Sequence, residues 1–241
     1  MKIFIDSGEV SEIRKYLAWG VCDGVTTNPS IMLKAGIKTE AEAKRQQIAI
    51  AKTIFPRPLS VEVTSDEPNE MIRQAHAFTK WAKNIMVKIT VTDRQGKSML
   101  PVIYQLASEG IAINVTAICT QNQAMLAAKA LENGRQHARE KAPFSHIISI
   151  FGGRISEEHG VKTATTIIAN VRRWLDTFGY PIEIIVGSIR SSENLDSWAM
   201  TGAHILTIPP DVLAKALVSA RTKETVDQFI NDAAAARQQM Q

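Results

Sequence analysis

The sequence predicts an α/β chain folded as a single (β/α)8 TIM barrel with one extra helix at its C-terminus. Three observations lead there. Short apolar, β-branched runs alternate with longer amphipathic stretches from end to end, the order of repeated βα units. The runs are apolar along nearly their whole length, so both faces are covered, as in a parallel sheet. Eight such units fit into 241 residues with no Gly/Ser/Pro-rich linker and no shift in composition, which favours one closed barrel over two domains. An open doubly wound sheet is the alternative. It would leave two edges to protect, and no Gly-rich first turn marks a nucleotide site.

Strands are expected at 2–6 (KIFID), 22–27 (CDGVTT), 59–64 (LSVEVT), 85–90 (IMVKIT), 111–117 (IAINVTA), 146–151 (HIISIF), 182–188 (IEIIVGS) and 204–208 (HILTI). Between them apolar residues recur at helical spacing, as in Met71, Ala75, Phe78 and Ala82, or Ile167, Val171, Trp174 and Leu175. Ser192 and Pro210-Asp211 read as helix starts. Residues 131–145 read as a lengthened, charged connection before the sixth strand. The barrel is assigned to residues 1–222 and the extra helix to 223–241, whose amphipathic stretch carries Val226, Phe229, Ile230 and Ala233 on one face. That helix either caps its own barrel or packs on a neighbouring subunit.

Hydrophobic residues make up 45% of the chain and charged residues 22%, which excludes disorder. Lysine and arginine number 28 against 24 acids, a formal net charge of +4. The basic residues are dispersed, with no basic run and no aromatic interleaving, so anionic small molecules are expected as partners and nucleic acid is not. Nothing approaches a membrane span, and the N-terminus reaches Asp6 after three apolar residues, which is no secretory segment. Cys22 and Cys119 match no metal or redox spacing. A cytoplasmic protein is expected.

In such a barrel, chemistry takes place at the carboxyl ends of the strands. Asp6 ends the first strand, Thr26-Thr27-Asn28 the second, and the third carries Glu62. The fourth carries Lys88, the fifth Asn114 and Thr116, the sixth Ser149, and the seventh ends in Ser188 with Arg190 just beyond. Lys88 is the sharpest signal, because the run around it reads as buried strand and lysine is almost never buried without a partner. Desolvation favours a neutral amine, the form that attacks a carbonyl to make a Schiff base. Two carboxylates on neighbouring strands, Glu62 and Asp6, can divide the proton transfers that this chemistry needs. Arg154 and Arg190, with Ser188 and nearby backbone amides, form a candidate anion clamp at the late strands, where barrels often hold phosphate. The competing readings are ion pairing of Lys88 with Glu62, and of the arginines with Glu157 or Glu158.

The five histidines, His76, His137, His146, His159 and His204, have no ligand spacing. His146 and His204 begin strands at the non-catalytic end and read as structural, whereas His159 lies in the loop after Arg154, within reach of a substrate. No nucleotide or metal motif is present, so no cofactor or metal is expected.

Thr26-Thr27-Asn28-Pro29-Ser30, Glu62, Val87-Lys88-Ile89, Asn114-Val115-Thr116, Asn122-Gln123-Ala124 and Phe151 to Arg154 together resemble the transaldolase family. The likeness runs from Phe4 to about Leu213 and is greatest to the short branch of small transaldolases and fructose-6-phosphate aldolases. It implies Lys88 as the Schiff-base lysine, Glu62 as an acid/base working through a water held also by Thr116, and Asp6 as the group handling the proton of the hydroxyl at the cleaved bond. Asn28 and Asn114, with Thr27 and Phe151 beside them, would bind the dihydroxyacetone portion, and Ser149 its terminal hydroxyl. Arg154, Ser188 and Arg190 match phosphate-holding positions. The resemblance further implies a cofactor-free enzyme of the pentose phosphate pathway, binding sugar phosphates and assembled as a homo-oligomer, a pentamer or a decamer.

The aldolase branch typically carries glutamine at the position of Glu62 and tyrosine at that of Phe151. Both residues here are of the transaldolase type, which favours transfer of a three-carbon unit to an aldose acceptor. An aldolase or transaldolase acting on a related phospho- or sulfo-sugar is the nearest alternative, and a non-catalytic sugar-phosphate-binding barrel a different class. Ser7-Gly8, Ala117 to Thr120, Gly152-Gly153 and Glu157-Glu158-His159 depart from the family's usual form and bear on the substrate rather than on the lysine chemistry.

Overall fold

Eight parallel strands close into one barrel in chain order in the computed structural model, which describes residues 1–239. They are β1 (Lys2–Asp6), β2 (Gly24–Thr26), β3 (Leu59–Glu62), β4 (Ile85–Thr90), β5 (Ile113–Ile118), β6 (Ile147–Ile150), β7 (Glu183–Val186) and β8 (Ile205–Ile208). β8 pairs back onto β1 from Lys2↔Ile205 to Ile5↔Ile208 and seals the ring. The first and fourth strands have the spans the sequence predicts. The second is shorter than expected, and the third stops at Glu62.

Helices cover the outside: α1 (Val10–Ala18), α2 (Pro29–Lys34), α3 (Glu40–Ile54), α4 (Pro68–Thr79), α5 (Leu100–Ser108), α6 (Gln121–His137), α7 (Gly152–His159), α8 (Val161–Phe178), α9 (Leu195–Ala199), α10 (Pro210–Ala216) and α11 (Ala220–Gln239). Capping chemistry starts several of them. Thr39 and Thr120 each form a full capping box, with Glu42 and Gln123, so two amides at each start are bonded by side chains. Ser192 does not start α9, whose N-cap is Asn194, and Ala82 falls beyond the end of α4.

Two expectations need correction. Residues 131–145 are not one long connection, since α6 continues to His137 with Leu131, Glu132 and Gly134 buried. Gly134 lets α6 lie against α5: a Cβ there would stand 2.6 Å from the Ala107 Cβ and 2.8 Å from the Tyr104 carbonyl oxygen. A bidentate Arg135–Glu132 pair finishes the helix. The segment after Arg154 is likewise not a loop but α7, which ends at Gly160 with φ +81°, a conformation glycine adopts without strain.

The strands' inner faces change character along their length. Residues two apart on a strand share a face, and on four strands an apolar residue is followed two positions on by a polar one: Phe4 and Asp6, Met86 and Lys88, Ile147 and Ser149, Ile205 and Thr207. Phe4, Met86, Ala112, Ile147, Ile185 and Ile205 pack together as one apolar cluster. That cluster floors the barrel, and the polar set lies above it at the carboxyl end.

At the opposite end His146 and His204 have structural roles. Each accepts a backbone hydrogen bond at Nδ1, His146 from Ile113 N (3.2 Å) and His204 from Ile184 N (2.9 Å). α11 begins slightly before the expected boundary and leaves its apolar stripe uncovered: Val226, Phe229 and Ile230 are 50%, 64% and 66% exposed. The last residues of the expected stretch lie outside the described residues.

Candidate active site

Lys88, on β4, is only 4% exposed. Its Nζ lies 3.1 Å from Glu62 Oε2 and donates to the Thr27 carbonyl oxygen at 3.3 Å. Strand register causes the first contact, since Glu62 of β3 sits directly beside Lys88. Asn114 flanks Lys88 on the other side, in register on β5. The amine is therefore held between the Glu62 carboxylate and the Thr27 carbonyl oxygen.

Asp6 enters from β1. Burial pushes its carboxyl above the ordinary carboxylate range, the Lys88 charge and the Thr26 hydrogen bond pull it back, and Glu62 adds to the rise. The Thr26 hydroxyl donates to Asp6 Oδ1 at 2.6 Å and lies 2.5 Å from Thr207 Oγ1. Thr207, on β8, shows the same sequence signal as Lys88, a polar residue in an otherwise apolar strand.

Two buried atoms in the mouth, Asn114 Oδ1 and Thr116 Oγ1, lack a partner among the described residues. Leaving such a group unbonded costs about 1–3 kcal/mol, so both are suited to a polar ligand. The Asn114 amide nitrogen is already committed, donating to Ser60 Oγ at 3.1 Å. Thr116 follows the register of Thr90 on β4 and lies, with Ala117 at φ +60°, inside the irregularity between Val115 and Ile118 where β5 shifts against β6. Ser149 is buried on β6.

Thr27, expected beside the substrate, has its side chain bonded within the protein. Its hydroxyl donates to the Ser60 carbonyl oxygen at 2.9 Å and accepts from Gln47 Nε2 at 3.0 Å, which leaves its own carbonyl to face Lys88. Asn28 caps α2, its Oδ1 accepting from Ile31 N at 2.9 Å, and keeps its amide protons for other acceptors. A cavity of about 560 Å³ opens beside these residues, with Asn28, Gln47, Glu62, Thr64, Phe78 and Trp81 on its wall and Lys88 not among its lining.

On the far side, Gly153 brings α7 against the end of β7, because a Cβ there would overlap the Ser188 carbonyl oxygen. Ser188 itself takes φ +60°, a costly backbone state outside glycine that is concentrated at functional sites. Arg154 stacks over Phe151, its Cζ 5.6 Å from the ring centroid. Arg190 is exposed and paired with Glu157 of α7, so its guanidinium already holds an internal carboxylate. Among the described residues no cluster of three or more His, Cys, Asp or Glu is placed to hold a metal, and no helix is long and apolar enough to cross a membrane.

Fold and site together define a (β/α)8 barrel with a buried lysine–carboxylate group at its carboxyl mouth. A family model described as Transaldolase/Fructose-6-phosphate aldolase matches residues 3–241, and the chain belongs to that family. It is 36% identical over 232 residues to "Probable transaldolase 2" of Listeria monocytogenes serovar 1/2a, covering 96% of this chain and 95% of that one. It is equally 36% identical to "Probable transaldolase" of Geobacter sulfurreducens, covering 96% and 97%. Among solved structures, a cube-shaped, highly porous designed protein cage superposes with a TM-score of 0.55 at 14% identity, covering 99% of this chain and 79% of that one, a likeness of fold alone.

Proposed function

We propose that the protein is a class I transaldolase that moves a dihydroxyacetone unit from a ketose phosphate to an aldose acceptor through a Schiff base on Lys88. One observation carries the reading: a buried amine shares the mouth with two carboxylates, Glu62 at 3.1 Å, placed to take the amine's proton, and Asp6, held separately by Thr26; simple ion pairing of Lys88 with Glu62 gives the second carboxylate no role. The amine attacks the ketone, and the resulting carbinolamine loses water as Glu62, with Thr116, supplies and accepts the protons. Asp6 then takes the proton of the hydroxyl on the β carbon, the far end of the bond that will break, two bonds from the iminium carbon. The C–C bond breaks, its electron pair flows into the iminium to give an enamine, and an aldehyde leaves. The acceptor aldehyde reverses these steps, and water releases the product ketose and the amine.

Asn28, Asn114 and Ser149 are assigned to the hydroxyls of the three-carbon unit, with Thr27 and Phe151 shaping its place. Arg154, Ser188 and Arg190 are assigned to the phosphate, which must displace Glu157 from Arg190. Glu62 and Phe151 favour transfer over release of free dihydroxyacetone. The same reading places the enzyme in the cytoplasm, in the pentose phosphate pathway, as a homo-oligomer.

Borohydride trapping tests it. Incubation with fructose 6-phosphate followed by reduction should leave a three-carbon adduct on Lys88, found by peptide mass, and Lys88→Met should abolish it while the far-UV circular dichroism is retained. No adduct from any ketose in a panel would leave only a sugar-phosphate-binding barrel. Rapid product formation with free dihydroxyacetone as donor would instead assign an aldolase.

A further inference from the structure

We propose that Thr207 is a positioning residue for the proton step at Asp6, acting through the Thr26 hydroxyl. The inference rests on the Schiff-base reading above and extends it to a residue that reading does not use. Thr207 stands on β8, two residues above Ile205 of the apolar floor, and is buried. β8 and β2 are the two neighbours of β1 in the ring, so threonines from both flanks meet at the strand that carries Asp6. Their oxygens form a chain: Thr207 Oγ1 to Thr26 Oγ1 at 2.5 Å, then Thr26 Oγ1 to Asp6 Oδ1 at 2.6 Å.

Donor accounting gives the chain a direction. An ionised carboxylate only accepts, and a hydroxyl has one proton to give. Thr26 gives its proton to Asp6, so toward Thr207 it can only accept. The bonds therefore run from Thr207 to Thr26 to Asp6. A hydroxyl that accepts one hydrogen bond becomes a stronger donor of the next, because bonds in series polarise one another. Thr207 thus strengthens the side-chain hydrogen bond from Thr26 that favours Asp6 in its ionised, proton-accepting form. When Asp6 has taken the proton, the carboxylic acid can donate back to Thr26, and the hydroxyls reverse by rotation about their C–O bonds. Proton uptake and release at Asp6 then require no displacement of heavy atoms.

The charged groups acting on Asp6 are Lys88 from β4, Glu62 from β3 and Lys34 from α2. None is altered by a substitution at Thr207, so a change in the acid limb of activity reports the hydroxyl chain. Thr207→Val removes the hydroxyl and keeps the branched shape, Thr207→Ala removes hydroxyl and shape, and Thr207→Ser keeps the hydroxyl. The measurements are kcat and KM for fructose 6-phosphate with an aldose acceptor across pH, and the reduced adduct on Lys88.

Loss of a neutral hydrogen bond that polarises the Thr26–Asp6 bond predicts that Val and Ala lower kcat about threefold with KM within about twofold, and move the acid limb of kcat to higher pH. Ser should restore both, and every variant should still form the adduct. An unmoved acid limb with unchanged kcat in both Val and Ala overturns the proposal. So does a loss in Ser equal to that in Val, which would assign the effect to shape. Failure of the unaltered protein to form an adduct would instead sink the Schiff-base reading beneath it.

Discussion

At the scale of the residue, the mouth holds groups that work against the stability of the fold. The carboxyl of Asp6 is raised by burial more than Lys88 and Thr26 lower it, so its ionised form is disfavoured in the folded chain. A group whose folded value lies above its unfolded one loses stability as pH rises through that interval. Asp6→Asn removes this charge and keeps an oxygen for the Thr26 hydroxyl, so it is expected to raise Tm at neutral pH while lowering kcat. A lowered Tm would mean that the attraction to Lys88 outweighs burial. Arg190 presents the opposite case, an exposed cation already paired with Glu157. Because solvent screens such a pair, a phosphate can replace the carboxylate at little cost. Arg190→Ala is expected to raise KM for a phosphorylated ketose about tenfold with a smaller effect on kcat, and an unchanged KM would place the anion elsewhere.

At the scale of the element, what was legible in the sequence was whatever repeats. The period-two change from apolar to polar on β4 exposed Lys88, and the same logic applied to β8 would have found Thr207. What was not legible depended on contacts between elements. Residues 131–137 look charged and glycine-bearing in isolation, yet Gly134 belongs in α6 because α5 leaves no room for a Cβ. Gly134→Ala is therefore expected to destabilise the protein by about 1–3 kcal/mol through overpacking, although alanine in an open helix would stabilise by about 1 kcal/mol. Urea unfolding decides the sign. Strand starts are a second instance, since the bond from Ile113 N to His146 Nδ1 joins two segments far apart in sequence. Burial, reinforced by Arg135, pushes the His146 imidazole down to about 4 from 6.5. The unfolded chain then binds more protons between those values, so the stability given by neutral His146 is complete above about pH 6.5 and is lost as pH falls toward 4, on the order of 3 kcal/mol in all. His146→Asn should flatten that part of the stability–pH curve, and an unchanged slope would exclude His146 as its source.

At the scale of the whole molecule, the barrel closes without α11, whose apolar residues stay half or more exposed among the described residues. β8 seals against β1, and α10 already covers that junction, with Val212 buried and the Pro210 carbonyl accepting from the Tyr16 hydroxyl. Val226, Phe229 and Ile230 lie on the free side of a helix that follows, more exposed than not. A contiguous apolar stripe left in water favours association, and one helix per chain reaching a neighbour is the simplest way to bury it. This gives the reading of a homo-oligomer its physical basis and ties it to one element. Phe229→Glu with Ile230→Glu places two charges in that stripe, while the barrel and its mouth are untouched. Sedimentation velocity should show the unaltered protein as a multimer and the double variant as a smaller species, with adduct formation on Lys88 retained in both. Equal sedimentation of the two proteins, or a monomer in each, would mean that the stripe holds no subunit contact.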